Sequence, residues 1–390
     1  MNKKKVKSSI RIISKVIFLI FIIFLLSSFK INIYATAEDI ILKQAEILDI
    51  QSFLDVAKEN TKETLGEINY SEIFTNLSQG KIEITEVFPS IKNILKNELQ
   101  NVLKTITTIF VIVLIHGIFK TISENLGNDS IGKIAYFVQY IVIIIYILET
   151  YSDLVIYVKD TIERLIDYTN ILIPILMTLI MSTGNITTVS IIEPILLVVI
   201  TFIGNFIINI LIPILLIGTV LSITSNLSPN ISAEKISIFL KSSTIWILGF
   251  ILTVFTGILS LQSVLTKNVD EVTIKATKNI VSSAVPVVGK VLSDTTETVL
   301  GCAVILKNSV GIIGIIVIIG ITIIPLIKIL SIMISFYLAS GICQLVADEK
   351  IVKVLSQMGD TFKILLGMLA AVTAMLIIGT SIVIKITASG

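Results

Sequence analysis

Residues 311–330 read GIIGIIVIIGITIIPLIKIL, with one charged side chain, Lys328, and one proline, Pro325. A helix needs about 17 to 25 predominantly apolar residues to cross the hydrocarbon core of a bilayer, so this stretch is membrane-spanning material. It lies inside a longer apolar block, 309–346, which at about 1.5 Å per residue overshoots a core roughly 30 Å thick. A lysine at mid-bilayer is costly unless it reaches an interface, a partner or water. The sequence therefore predicts a break at Pro325, leaving Lys328 at a helix end from which its ammonium can snorkel.

The rest of the chain has the same character. Of its 390 residues, 54% are hydrophobic and only 15% charged, and the mean hydropathy is +0.97. Soluble domains carry about 25% charged residues, so the composition is that of an all-α polytopic membrane protein. Candidate spans fall at 105–122, 134–148, 165–182, 189–224, 244–265, 309–346 and 361–385. The block 189–224 is again too long for one crossing and contains Pro213, which predicts a break or a hairpin there. Seven to nine transmembrane helices result, depending on how the two long blocks divide.

At the start of the chain, Lys3, Lys4, Lys5 and Lys7 precede the apolar run VIFLIFIIFLLSSF at 16–29, and Ala35-Thr36-Ala37 follows. A charged region, an apolar region and a small-residue site make a secretory signal peptide over 1–37; the alternative is an uncleaved first transmembrane helix. Residues 38–100 hold twelve acidic residues against six lysines, a net charge of −6. They read as a short helical segment outside the cytoplasm, too small for a robust core of its own. The remaining regions are a first membrane region at 101–265, a polar segment at 266–308 and a second membrane region at 309–390.

Several function classes are excluded or disfavoured. The formal net charge is +2 and the basic residues form no patch, so nucleic acid is not an expected ligand. Cys302 and Cys343 stand apart without a CxxC and read as packing residues. His116 is the single histidine, and one histidine builds no metal cluster. No G-x-x-x-x-G-K-[ST] loop occurs, and no nucleophile, base and orienting group stand together. The chain is not expected to be an enzyme, and no catalytic residue, cofactor or metal site is assigned.

Two polar patterns remain. Thr201, Asn205 and Asn209 recur every four residues and share one helix face, the arrangement expected for hydrogen bonds to a neighbouring helix, with a substrate-binding stripe as the alternative. From Val269 to Val299 the apolar residues keep a helical period, while Lys275, Lys278, Ser282, Lys290, Asp294 and Glu297 lie on the other side. Pro286 should kink or split this helix near Gly289. The product is a broken amphipathic helix, either lying in the membrane interface or packed into the bundle as a re-entrant element. Pro286, Gly289, Lys290, Asp294 and Glu297 are the candidates for a polar path or a docking site.

The run TKNIVSSAVPVVGKVLSDTTETVLGCAVILKNSVGIIG, 277–314, closely resembles the signature region of the stage III sporulation protein AE family of endospore-forming Firmicutes. The signal peptide, the acidic segment and the polytopic domain agree in layout. The resemblance implies a multi-pass protein of the mother-cell membrane around the forespore. It further implies partners from an eight-protein operon set, among them a secretion-type ATPase, and indirectly a forespore membrane protein, in a transenvelope complex similar to specialised secretion machines. In that setting the chain is expected to be a channel or permease-like component. A stand-alone secondary transporter and a non-conducting membrane scaffold are the alternatives.

Overall fold

The computed structural model describes residues 38–66, 68–81, 88–125, 129–183, 185–227, 233–284 and 288–385. The signal-peptide expectation for 1–37 and the expected kink residue Pro286 lie outside them. Among the described residues the elements are all helical: α1 Glu38–Ile47, α2 Ile50–Leu65, α3 Tyr70–Ser78, α4 Phe88–Asn125, α5 Asp129–Ser182, α6 Ile186–Phe206, α7 Ile212–Leu227, α8 Glu234–Ala284, α9 Val288–Cys343 and α10 Glu349–Lys385. A π-helical turn, Ile207–Leu211, joins α6 to α7. Among the described residues six helical stretches are long and apolar enough to cross a membrane, and the chain is a multi-pass membrane protein.

That number differs from the seven to nine expected because the helices run on through the anticipated breaks. The candidate spans 134–148 and 165–182 share the single helix α5. The connecting residues 149–164, ETYSDLVIYVKDTIER, contain neither glycine nor proline, so nothing in them stops a helix. In the block 189–224 there is no hairpin. Pro213 cannot donate to the ladder and crowds the carbonyl four residues earlier, and the helix absorbs this by widening into the π turn just before it, where the Ile212 amide bonds to the Ile207 carbonyl.

The break expected at Pro325 is also absent, and α9 passes through it unbroken. Around Pro325 the helix is clamped by protein: Ile321, Thr322 and Ile329 are buried, and α5 and α10 pack along it. That burial outweighs one missing rung, a cost of about 3 kcal/mol. Lys328 consequently does not sit at a helix end. Its Nζ lies over the Tyr157 ring of α5, 4.5 Å from the centroid, where the quadrupole of the ring partly replaces lost water.

The two most enclosed helices, α9 and α10, form the centre. The most apolar stretch of α9 has 67% of its residues buried and that of α10 61%, against 17% for both α4 and α8. The outer helices turn residues such as Leu103, Ile118, Phe239 and Trp246 outward, as expected where lipid is the solvent.

The acidic segment docks on this centre. Helix α2 buries Ile50, Phe53, Leu54, Ala57, Thr61 and Leu65, spaced three and four apart as one helical face requires. Gly66 ends it with φ 77°, a backbone conformation that glycine adopts without strain. Asn69 then starts α3 by accepting the Glu72 amide on its side chain, and Tyr70, Ile73, Phe74 and Leu77 face inward. The two helices are tied by a 2.7 Å hydrogen bond between the Thr61 and Tyr70 hydroxyls. Gly320 of α9 makes the close approach possible, because a Cβ there would stand 2.7 Å from Thr61 Cγ2 and 2.9 Å from Leu65 Cδ1. Phe53 also meets Tyr168 of α5, with ring centroids 6.4 Å apart. Helix α4 then runs from Phe88 to Asn125 straight through residue 100.

Candidate functional site

Where α7, α8 and α10 meet, the interior of the bundle is polar. Ser237, Lys241 and Thr244 are all buried on α8, and their spacing of four and three residues puts them on one face. Ser237 Oγ donates to the Gly218 carbonyl at 2.7 Å, and Lys241 Nζ donates to the Gln357 carbonyl at 3.4 Å. The same carbonyl accepts the Thr361 hydroxyl at 3.0 Å. Asn226 donates through Nδ2 to Gln357 Oε1 at 2.8 Å and to the Ser222 carbonyl at 2.7 Å. Thr219 and Thr361 stand 3.4 Å apart through their hydroxyls. The network thus links three spanning helices.

Its charges are ordered along the helices. Near the start of α8 and α10, Lys353 Nζ and Glu234 Oε1 form a half-exposed ion pair at 2.7 Å. About two turns further along α8 is Lys241, only 9% exposed. The carboxylate whose charge acts on it is Asp360, which accepts the Tyr337 hydroxyl at 2.7 Å. A second lysine, Lys307 of α9, is 0% exposed. Removing an ammonium from water costs several kcal/mol even after relaxation, and charged groups inside spanning segments mark working sites by default. Among the described residues no three His, Cys, Asp or Glu side chains come together in a way that could hold a metal ion.

The residues singled out from the sequence fall elsewhere. Gly289, Lys290, Asp294 and Glu297 lie on the first turns of α9, directly after the junction at which α8 ends at Ala284; their side chains, like the whole of Pro286, are outside the described residues. Thr201 is half-buried and both Asn205 and Asn209 are exposed, so among the described residues this face makes no side-chain bond to another helix. The reason is packing: the buried residues of this region, Ile203, Ile207, Ile208 and Leu211, occupy the other side of the helix.

The interior network carried a signal in the sequence. Ser237, Lys241 and Thr244 satisfy the same periodicity test as Thr201, Asn205 and Asn209. Their position near the polar start of α8, however, gives them the character of an interfacial face. Asn226 lies at the very end of α7, where no polar period can show, and only the packing of α7 on α10 brings it to Gln357.

Comparison with known proteins places these helices in a family. No solved structure matches the chain. A curated relative, Stage III sporulation protein AE of Bacillus subtilis strain 168, is 27% identical over 281 residues, covering 72% of this chain and 70% of the relative. The family model for stage III sporulation protein AE matches residues 68–387, a range that takes in α3 through α10 and with them the interior network, the outward asparagines and the polar segment. This chain belongs to the stage III sporulation protein AE family.

Proposed function

We propose that the protein is a membrane-embedded, channel-like or permease-like structural component of the transenvelope complex between mother cell and forespore. It carries out no chemistry of its own, and energy comes from a secretion-type ATPase among its operon partners. The observation that carries the conduit reading is Lys241, a cation buried inside the bundle with Asn226, Ser237, Gln357 and Thr361 around it. A helix that only anchors needs no such group, and an apolar substitute packs there at lower cost. The polar residues Lys290, Asp294 and Glu297 at the start of α9 are the proposed docking or path-lining face, and residues 38–80 face the space between the two membranes.

The test is a deletion strain. Vegetative growth should be normal while heat-resistant spores are lost, with forespores that are engulfed or nearly so and fail to mature. Expression confined to the mother cell should restore spores. A growth defect with normal spore yield would overturn this reading in favour of a general transporter.

A further inference from the structure

The outward face of α6 and α7 lacks something the rest of the membrane region has. Asn205 and Asn209 are exposed in the middle of an apolar span running from Val189 to Asn226. Their neighbours on the same surface, Val198, Phe202, Leu216 and Val220, are between 42% and 67% exposed, as lipid-facing residues are. Neither carboxamide makes a side-chain hydrogen bond among the described residues, although the polar groups inside the bundle do so repeatedly. A carboxamide with no partner in hydrocarbon is strongly disfavoured. The π turn that accommodates Pro213 leaves the successive residues Asn209 and Ile210 both exposed while Ile207, Ile208 and Leu211 stay buried. Such turns are concentrated at working positions of helices.

We propose that this face is where two copies of the chain associate within the membrane, through Asn205 and Asn209. A partner copy inserted in the same direction carries the same amides at the same depth, so rotation about the membrane normal brings like residue to like residue. Each carboxamide has two donor hydrogens and an acceptor oxygen, so it complements its own image without any other partner chemistry. The neighbouring rings of Phe202 and Phe206, 6.1 Å apart, supply an apolar contact beside the amides. Interhelical amide bonds of this kind drive association in bilayers, where burial of apolar surface does not.

Full-length chains carrying Asn205→Cys or Asn209→Cys, oxidised with copper phenanthroline in native membranes and run without reductant, should give a dimer-sized band whose cross-linked peptides join 205 to 205 or 209 to 209. The parent chain should give none, because Cys302 and Cys343 are buried. Trp246→Cys, exposed on α8, should also give none. Absence of the band at both 205 and 209, or a band that joins the chain to a different protein, overturns the proposal. In a further measurement, two differently tagged copies are co-purified; Asn205→Leu with Asn209→Leu should lower recovery of the other tag by at least about ten-fold, while the monomer still accumulates. Unchanged co-purification overturns the proposal, and should the double variant fail to accumulate, the cysteine variants decide alone.

Discussion

Ser237, Lys241 and Thr244 on α8 and Thr201, Asn205 and Asn209 on α6 and the π turn that follows it are the same pattern in sequence, three polar residues at helical spacing on a span. In the structure they are opposites. The α8 set is buried, and its partners Gly218 and Gln357 come from α7 and α10. In the other set Thr201 is half-buried and Asn205 and Asn209 face outward, exposed. Periodicity reports that polar groups share a face; it does not report which way the face points. The direction is set by helices distant in the chain, and in a membrane both directions are surrounded by apolar atoms, so hydropathy does not separate them either.

The largest expected effect tests whether the inner set works or only packs. Lys241→Met keeps length and apolar contact while removing the charge. Because an apolar replacement for a buried charge is often neutral or stabilising, the variant should accumulate normally, yet heat-resistant spores should fall on the order of 100-fold. Gln357→Leu acts differently. It removes the side-chain acceptor of Asn226 and leaves the carbonyl that Lys241 uses, so it should cost about 1–3 kcal/mol of stability in detergent. Normal spore counts from Lys241→Met would make the inner network structural and leave only the polar start of α9 as a candidate path.

The contrast also marks what was legible in the sequence. The all-α, membrane-spanning character followed from composition, and the family from the run 277–314. The inward face of α2 follows a period that Phe53, Leu54, Ala57 and Thr61 keep without interruption. Continuity at Pro325 was not legible, because proline's effect on a helix depends on the packing around it, and that packing comes from α5 and α10. The placement of Lys328 over Tyr157 joins residues 171 positions apart, which local patterns do not contain.

Glycines give another, smaller test of inside against outside. Gly320 of α9 is closed off by Thr61 and Leu65 of the docked acidic segment, whereas a Cβ on Gly257 of α8 would meet nothing within 4 Å. Gly320→Val should push α2 away and cost about 1–3 kcal/mol, detected as increased protease sensitivity between residues 38 and 80. At Gly257 the same change should stay within about 0.5 kcal/mol. Equal responses at the two sites would mean that the segment does not rest on α9.

The smallest effect concerns Tyr70, which lies outside the spans where α3 meets α2. Burial pushes its phenol up to about 12, with the hydrogen bond to Thr61 acting in the opposite direction. In the unfolded chain a tyrosine titrates near 10, so the folded segment holds this proton more tightly. The resulting stabilisation is fully present below about pH 10 and is lost as the pH rises from about 10 to about 12. Tyr70→Phe removes the titration together with the Thr61 bond, a loss of about 0.5–1.5 kcal/mol at neutral pH. Thermal melting of the two proteins in detergent, followed by circular dichroism from pH 8 to 12, separates the contributions, because the lysines and other tyrosines titrate in both. The advantage of the parent chain should be constant up to about pH 10, then shrink by up to about 1.4 kcal/mol per pH unit and reverse near pH 11. Parallel curves across that range would show that Tyr70 is open to water, and that α3 does not close against α2 as tightly as the 2.7 Å bond between their hydroxyls requires.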